Sequence, residues 1–227
     1  MTGFYPLLTI LYAPKKAFGL LSESTRHVWL APFVLCAFLS VLVAWGMGPI
    51  TQTIIANNLP AGVELTQKAI PGPASPFIAP LGVLVRFILQ AGFLWACIYL
   101  INTPMSFSRV LAVVGYSSIV VAIGELMSVG LLYYRGYNQL TDPLSVYGDF
   151  GLYQLFPGSY GMAVESILRS ISVFSVWYLV LLTVGLVILG KMRSVRAFLV
   201  SFIVWVFPVL LGATALSFFD KIRSLTP

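Results

Sequence analysis

The stretch from Val28 to Met47 reads VWLAPFVLCAFLSVLVAWGM and contains no charged side chain in twenty positions. About 20 apolar residues is the length that an α-helix needs to cross the ~30 Å hydrocarbon core of a bilayer. Lipid offers the backbone no hydrogen-bonding partner, so such a run is stable there as a helix. A cleaved signal would have a shorter apolar region. The stretch therefore predicts a transmembrane helix.

Four further runs of this kind follow along the chain. They are Leu81–Ile101, Arg109–Leu132, Ile167–Leu189 and Val195–Phe219. The composition agrees, because 59% of the residues are hydrophobic and 9% are charged, whereas soluble domains carry about 25% charged residues. We expect an all-α polytopic membrane protein, a bundle of about five transmembrane helices with a short N-terminal interfacial segment.

These runs divide the chain into three parts. Residues 1–27 are expected to form a cytoplasmic or interfacial segment, residues 28–219 the transmembrane domain, and residues 220–227 a short tail. Two prolines prevent one long helix in the first part. Phe18 is expected to dip into lipid there, so that residues 5–21 lie on the membrane surface. A loose cytoplasmic tail is the alternative.

The basic residues predict the orientation, because cytoplasmic loops carry an excess of Lys and Arg. With a cytoplasmic N-terminus, that side holds Lys15, Lys16, Arg26, Arg109, Lys191, Arg193 and Arg196. All of these except Arg109 are expected to contact lipid headgroups. The net charge of +6 is spread in short runs, which favours headgroups over nucleic acid as the counter-charge. An odd number of spans places the C-terminus outside.

The loop at residues 133–166 contains eight aromatic side chains, mostly tyrosines. Tyrosine is typical of the membrane–water interface, where its ring lies in lipid and its hydroxyl in water. We expect this loop to lie on the bilayer surface. A lid over a ligand is the alternative.

Most enzyme classes lack their required residues. His27 is the only histidine, Cys36 and Cys97 both lie in apolar runs, and no HExxH or phosphate-binding glycine loop is present. Gly115–Ser118 resembles a serine nucleophile turn only superficially, because it is expected in the middle of a helix with no histidine partner. We therefore expect no catalytic residue, no metal ligand and no cofactor.

Two charges inside the predicted spans carry more information. Arg86 in the second run and Glu125 in the third lie at the same depth, about 8–10 Å at ~1.5 Å per residue, and a short loop makes the two helices antiparallel neighbours. Charges within a span usually face a partner or a cavity. We predict a buried ion pair that holds the two helices together; a proton or substrate pathway is the alternative.

Small and polar residues share a helix face with each charge, which is typical of a helix-packing face. The predicted packing face consists of Gly82 and Gln90 beside Arg86, and of Gly115, Ser118 and Ala122 beside Glu125.

Three stretches, LYAPKKAF at Leu11–Phe18, VLAVVGYSS at Val110–Ser118 and VFSVWYLVL at Val173–Leu181, are followed by a basic turn near Lys191. In these stretches and in its five-span layout the chain resembles the Yip family, the five-span Ypt/Rab-interacting membrane proteins, and especially their bacterial branch. The resemblance implies a cytoplasmic N-terminus and an outer C-terminus, and the short N-terminal region resembles bacterial members in the inner (plasma) membrane.

Eukaryotic members of that family are linked to Rab GTPases and to vesicle traffic between the endoplasmic reticulum and the Golgi. This sequence lacks their long hydrophilic N-terminal region and the Asp-Leu-Tyr-Gly-Pro motif before the first span. These departures argue against a Rab-type GTPase as a partner. The expected partners are the lipid bilayer and other membrane proteins or further copies of the chain.

The function predicted from the sequence is a non-enzymatic membrane scaffold, adaptor or membrane-organising factor. The alternative is a transporter or a permease accessory subunit with a polar site near Arg86 and Glu125, and a third option is an intramembrane enzyme. Transport requires a continuous polar path through the spans, whereas a scaffold requires only helix-packing faces.

Overall fold

A computed structural model describes residues 5–23, 28–57, 77–103, 105–138, 150–156, 158 and 160–225. The helices in this part of the chain are α1 (Tyr5–Tyr12), α2 (Pro14–Glu23), α3 (Leu30–Asn57), α4 (Ala79–Leu100), α5 (Phe107–Arg135), a 3-10 turn (Leu152–Gln154), α6 (Met162–Ser170), α7 (Val173–Leu189) and α8 (Ser194–Leu225). The predicted all-α polytopic membrane class is confirmed. Among the described residues the only β pairing is one isolated bridge between Gly151 and Ser172.

Four helices are long and apolar enough to cross a membrane: α3, α4, α5 and residues 194–218 of α8. Helix α7 is also apolar but has only 17 residues. The interval 167–189, expected to be one span, contains the end of α6 and all of α7. The helical conformation is interrupted between them because Ser172 caps the N-terminus of α7. Its hydroxyl accepts a hydrogen bond from the Ser175 backbone N–H at 3.1 Å, and the Ser175 hydroxyl accepts one from the Ser172 N–H at 2.8 Å.

Helix α5 is the centre of the bundle. It packs against α3, α4 and α7, and also against α1. Every residue from Val110 to Val120 is buried. A helix that is buried all round belongs to a protein core, whereas α3, α4 and α8 leave most of their apolar surface uncovered by the chain.

The N-terminal helices form one kinked element. The Ala13 N–H still donates to the Thr9 carbonyl at 2.8 Å, but Pro14 has no N–H and starts α2 in a new direction. Helix α2 packs on α7, and the Phe18 side chain is completely buried. The expectation that Phe18 dips into lipid is wrong, because protein rather than lipid covers the apolar face of α2.

We call the end of the bundle where α2 packs the near end. The α4–α5 connection and the α7–α8 turn meet there, since Gly190 lies beside Met105. The opposite end, where α3 and α5 finish, is the far end, and there Asn57 Nδ2 donates to the Asn138 carbonyl at 3.1 Å.

Helix α3 continues through Pro49 to Asn57 instead of ending near Met47. A proline inside a helix disturbs the carbonyls of the preceding turn. One of these carbonyls, that of Gly46, accepts a hydrogen bond from the Tyr133 hydroxyl of α5 at 2.9 Å. The N–H that Pro49 lacks would have bonded to the Trp45 carbonyl, so Tyr133 of the neighbouring helix supplies a donor one residue after the carbonyl that the proline leaves without its usual partner.

Candidate functional site

The structure brings together the two charged side chains that the sequence placed at equal depth. Arg86 Nη1 of α4 donates to Glu125 Oε1 of α5 at 3.0 Å. The pair was expected to be buried, but 35% of the Arg86 side chain and 38% of the Glu125 side chain remain uncovered by protein. It is partly open because a cavity adjoins it on each side.

A small cavity of about 190 Å³ lies between α3, α4 and α5. Arg86 and Glu125 line it together with Cys36 and Ser40 of α3. Two members of the predicted packing face, Gly82 and Ala122, also line it. Because glycine has no side chain and alanine only a methyl group, they leave the space that the cavity occupies.

A larger cleft of about 640 Å³ lies on the other side of Glu125. Helix α5 contributes Glu125, and α3 contributes an apolar wall. The remaining wall is formed by Phe150, Gly151 and the chain from the end of α6 to the start of α7. We call this cavity the serine cleft, because its lining includes Ser128, Ser166, Ser170, Ser172 and Ser175.

The break between α6 and α7 builds one wall of the serine cleft. The Leu152 N–H donates to the Ile171 carbonyl at 2.9 Å, so the 150–154 segment fixes the position of the break. The rings of Phe150 and Phe174 meet edge to face with 5.2 Å between their centroids. A Cβ at Gly124 would lie 2.7 Å from the Phe174 ring, so glycine permits the start of α7 to approach α5.

Three of the serine hydroxyls of the cleft already donate to backbone carbonyls of their own helices. Ser128 donates to Gly124 at 3.0 Å, Ser170 to Ser166 at 2.7 Å. Ser175 donates to the Ser172 carbonyl at 2.9 Å. A hydroxyl has one hydrogen and two lone pairs. These three side chains therefore present acceptor oxygen rather than donor hydrogen to a further group, although the Ser175 oxygen already accepts from the Ser172 N–H and keeps only one lone pair.

A second charged pair lies on α6. Arg169 Nε donates to Glu165 Oε1 at 2.9 Å, and the Arg169 guanidinium lies 4.3 Å from the centre of the Tyr153 ring. Arg169 also lines the serine cleft. Sequence reasoning did not pair these residues, although their i,i+4 spacing is the signal that could have found them.

The rest of the predicted packing face serves the bundle. A Cβ at Gly115 would lie 3.0 Å from Pro32 and 3.3 Å from Phe87, so this glycine permits close approach of α3 and α4. Ser118 is buried and donates to the Val114 carbonyl at 2.8 Å. Gln90 Oε1 is buried and has no partner among the described residues.

The basic residues predicted to contact headgroups lie on the surface where they are described. The exposed ones are Lys15, Lys16, Lys191, Arg193 and Arg196. Arg26 lies outside the described residues, as does His27. Within the described part of the chain no three His, Cys, Asp or Glu side chains are placed to share a metal ion.

The family model of the Yip1 domain matches residues 8–216. This range runs from α1 almost to the end of α8 and includes the Arg86–Glu125 pair and the serine cleft. No curated protein and no solved structure gives a significant match. Because the model covers nearly the whole chain, from the kinked N-terminal element to the last apolar helix, the chain belongs to the Yip family.

Proposed function

We propose that this protein is a non-enzymatic membrane-organising factor, a scaffold or adaptor that acts by binding lipids and other membrane proteins. The Yip family consists generally of non-enzymatic membrane proteins. Helices α4 and α8 present long apolar faces that the rest of the chain leaves uncovered. In a bilayer such faces are available to lipid and to neighbouring helices.

The observation that carries this proposal is the closed near end. Phe18, Tyr116 and Leu186 are buried without exposed surface, and the Phe18 and Tyr116 rings pack edge to face at 6.4 Å. The polar groups around Glu125 lie in the far half of the bundle and meet this apolar core. The described residues therefore provide helix-packing faces and a cleft that ends at this apolar core, rather than a polar path from end to end.

A transporter or a permease accessory subunit is the second candidate function. It is favoured by one observation, namely that cavities lie on both sides of Glu125. A carboxylate between two cavities is a typical position for a proton or substrate relay. For such a relay to operate, the near-end core would have to open.

Purification in mild detergent, followed by mass spectrometry of bound lipids and proteins, tests the proposal. We expect specific lipids or membrane proteins to co-purify in constant ratio. Proteoliposomes containing the purified protein provide the opposing test. Flux of protons or small solutes that Glu125→Gln abolishes in a folded protein would contradict the organising function and support transport.

For the Arg86–Glu125 pair we propose a structural role, in which it joins α4 to α5. For the exposed basic residues at the near end we propose contact with anionic headgroups of a cytoplasmic leaflet, which places the N-terminus in the cytoplasm and the C-terminus outside a bacterial inner membrane. Labelling of single introduced cysteines tests this orientation. We expect a cysteine at position 194 to be protected from an impermeant reagent in intact cells; labelling there from outside would reverse the orientation.

A further inference from the structure

The serine cleft opens sideways between two helices. Helices α3 and α7 both pack on α5, whereas among the described residues they have little contact with each other. The cleft lies between them in the far half of the bundle, and Met47 of α3 and Phe174 of α7 both belong to its lining. A volume of about 640 Å³ falls in the range of ligand-binding pockets, about 300–1,000 Å³.

The two walls of the cleft differ in chemistry. Val43 and Met47 of α3 and Val129 of α5 form an apolar side, while Ser166, Ser170 and Glu125 lie on the polar side. A ligand that satisfies both walls must be amphiphilic. In a bilayer the molecules next to a lateral opening are lipids, so a lipid with a polar headgroup is the occupant that fits this position.

The polar wall selects a hydrogen-bond donor. The hydroxyls of Ser128, Ser170 and Ser175 donate to their own helices and thus offer lone pairs. One oxygen of Glu125 accepts from Arg86, and no hydrogen bond to its other oxygen occurs among the described residues. A primary ammonium has three donor hydrogens and a positive charge, which match this arrangement.

Aromatic rings add a preference for a cation of either kind, a primary or a quaternary ammonium. Phe150 and Phe174 line the cleft as an edge-to-face pair, and the face of an aromatic ring attracts a cation. Arg169 also lines the cleft, where it is paired with Glu165; its positive charge favours the phosphate group, which phospholipids share, and so does not distinguish their headgroups. A headgroup without an ammonium would leave the Glu125 carboxylate and the negative faces of these rings without a positive partner.

We propose that the serine cleft binds a phospholipid with a primary ammonium headgroup, of the phosphatidylethanolamine type. The ammonium donates to Glu125 and to the serine oxygens, and an acyl chain lies along the apolar wall of α3. This lipid site deepens the proposed membrane-organising function and rests on it, since it names one lipid class that the protein holds.

Native mass spectrometry of the purified protein tests the site with three synthetic lipids that share the same acyl chains. We expect phosphatidylethanolamine to be retained about tenfold more than phosphatidylcholine, which lacks the N–H donors, because a charge-assisted hydrogen bond corresponds to roughly that factor. Phosphatidylglycerol should be retained least. Equal retention of all three, or preference for phosphatidylglycerol, would overturn the inference.

Two variants on one helix locate the site. Ser128→Phe places a ring inside the cleft, whereas Gly130→Phe is a matched control, because a Cβ at Gly130 meets no atom within 4 Å. We expect Ser128→Phe to remove the ethanolamine preference and Gly130→Phe to keep it. Loss in both variants, or in neither, would contradict binding in the cleft.

A charge-neutral variant provides the second test. Arg86→Gln combined with Glu125→Gln removes the carboxylate without leaving a lone charge, so the protein is expected to remain folded. We expect phosphatidylethanolamine to lose its advantage over phosphatidylcholine; an unchanged preference would overturn the role of Glu125. If the wild-type protein shows no preference for phosphatidylethanolamine but still co-purifies with partners, only the lipid site is refuted. Glu125-dependent flux of protons or small solutes would instead refute the organising function.

Discussion

The near end and the far end of this bundle are packed in different ways. At the near end the kinked α1–α2 element covers α5 and α7, and the Phe18 ring fills the space beside Gly185. At the far end α7 begins late, and the space beside α5 is open as the serine cleft. The charged pair and most of the polar lining lie on the open side.

The difference in packing indicates that the near end is rigid and that the far end can adjust. Close-packed interiors have few low-energy rearrangements, so the near end fixes the arrangement of α2, α5 and α7. A partly open cleft leaves its lining side chains free to adjust to a ligand. Substitutions at the two ends test this contrast.

The largest effect is expected for Phe18→Ala, because its side chain is completely buried at the near end. Truncation of a buried Phe typically costs about 3–5 kcal/mol, through lost contacts and the cavity that remains. Thermal unfolding in detergent should show a large drop in Tm. Leu8→Ala on α1 is the control, since Leu8 is 72% exposed; equal destabilisation of the two variants would refute a packed near end.

Glu125→Gln is expected to have the next largest effect, because it leaves Arg86 without its partner inside a span. A stranded charge in that position costs about 2–3 kcal/mol. The double variant Arg86→Gln, Glu125→Gln should be more stable than Glu125→Gln alone, since no charge is then unpaired. Denaturation of the wild type, Arg86→Gln, Glu125→Gln and the double variant in the same detergent measures the coupling free energy, and strict additivity would show that the pair contributes nothing.

Two glycine substitutions compare the ends directly. A Cβ at Gly185 would lie 2.8 Å from Val113 and 3.0 Å from the buried Phe18 ring, so Gly185→Ala should cost about 1–3 kcal/mol by overpacking. A Cβ at Gly124 would lie 2.7 Å from Phe174, but that ring borders the serine cleft and can move into it. Gly124→Ala should therefore be less destabilising in the same unfolding assay, and the reverse order would contradict the contrast.

The smallest effect is expected for Tyr133→Phe at the far end. It removes the hydrogen bond to the Gly46 carbonyl near Pro49, and interhelical hydrogen bonds in membrane proteins contribute about 0.6 kcal/mol on average. Tyr134→Phe is the matched control, because Tyr134 is 88% exposed. A loss in Tyr133→Phe no larger than in the control would show that the carbonyl needs no donor there.

The helical class and the pairing of Arg86 with Glu125 followed from hydropathy and from equal depth in adjacent runs. The packing of Phe18 did not, because an apolar helix face can be covered by lipid or by protein and its own sequence is the same in both cases. Gly185 in the fourth run was the available signal, since a glycine permits another side chain, here the Phe18 ring, to approach closely.

The break before α7 was also missed, because hydropathy stays high from Ile167 to Leu189 and a window average cannot register a single turn. The local signal was Ser172 with Ser175 three positions later, the spacing of a helix cap. The serine cleft depends on this break together with the 150–156 segment, so its shape could not be derived from the apolar runs alone.

The short length of α7 makes the fit between the protein and the membrane depend on the thickness of the bilayer. Its 17 residues span about 25 Å, against about 43 Å for the 29 residues of α5, and the usual hydrocarbon core of ~30 Å lies between these values. Tilting cannot lengthen the short helix, so thinner lipid, flanking side chains that reach the interface, or association with other helices must accommodate it. Each added ångström of membrane raises this mismatch by a fraction of a kcal/mol, and the protein is therefore expected to accumulate where the bilayer is thinnest.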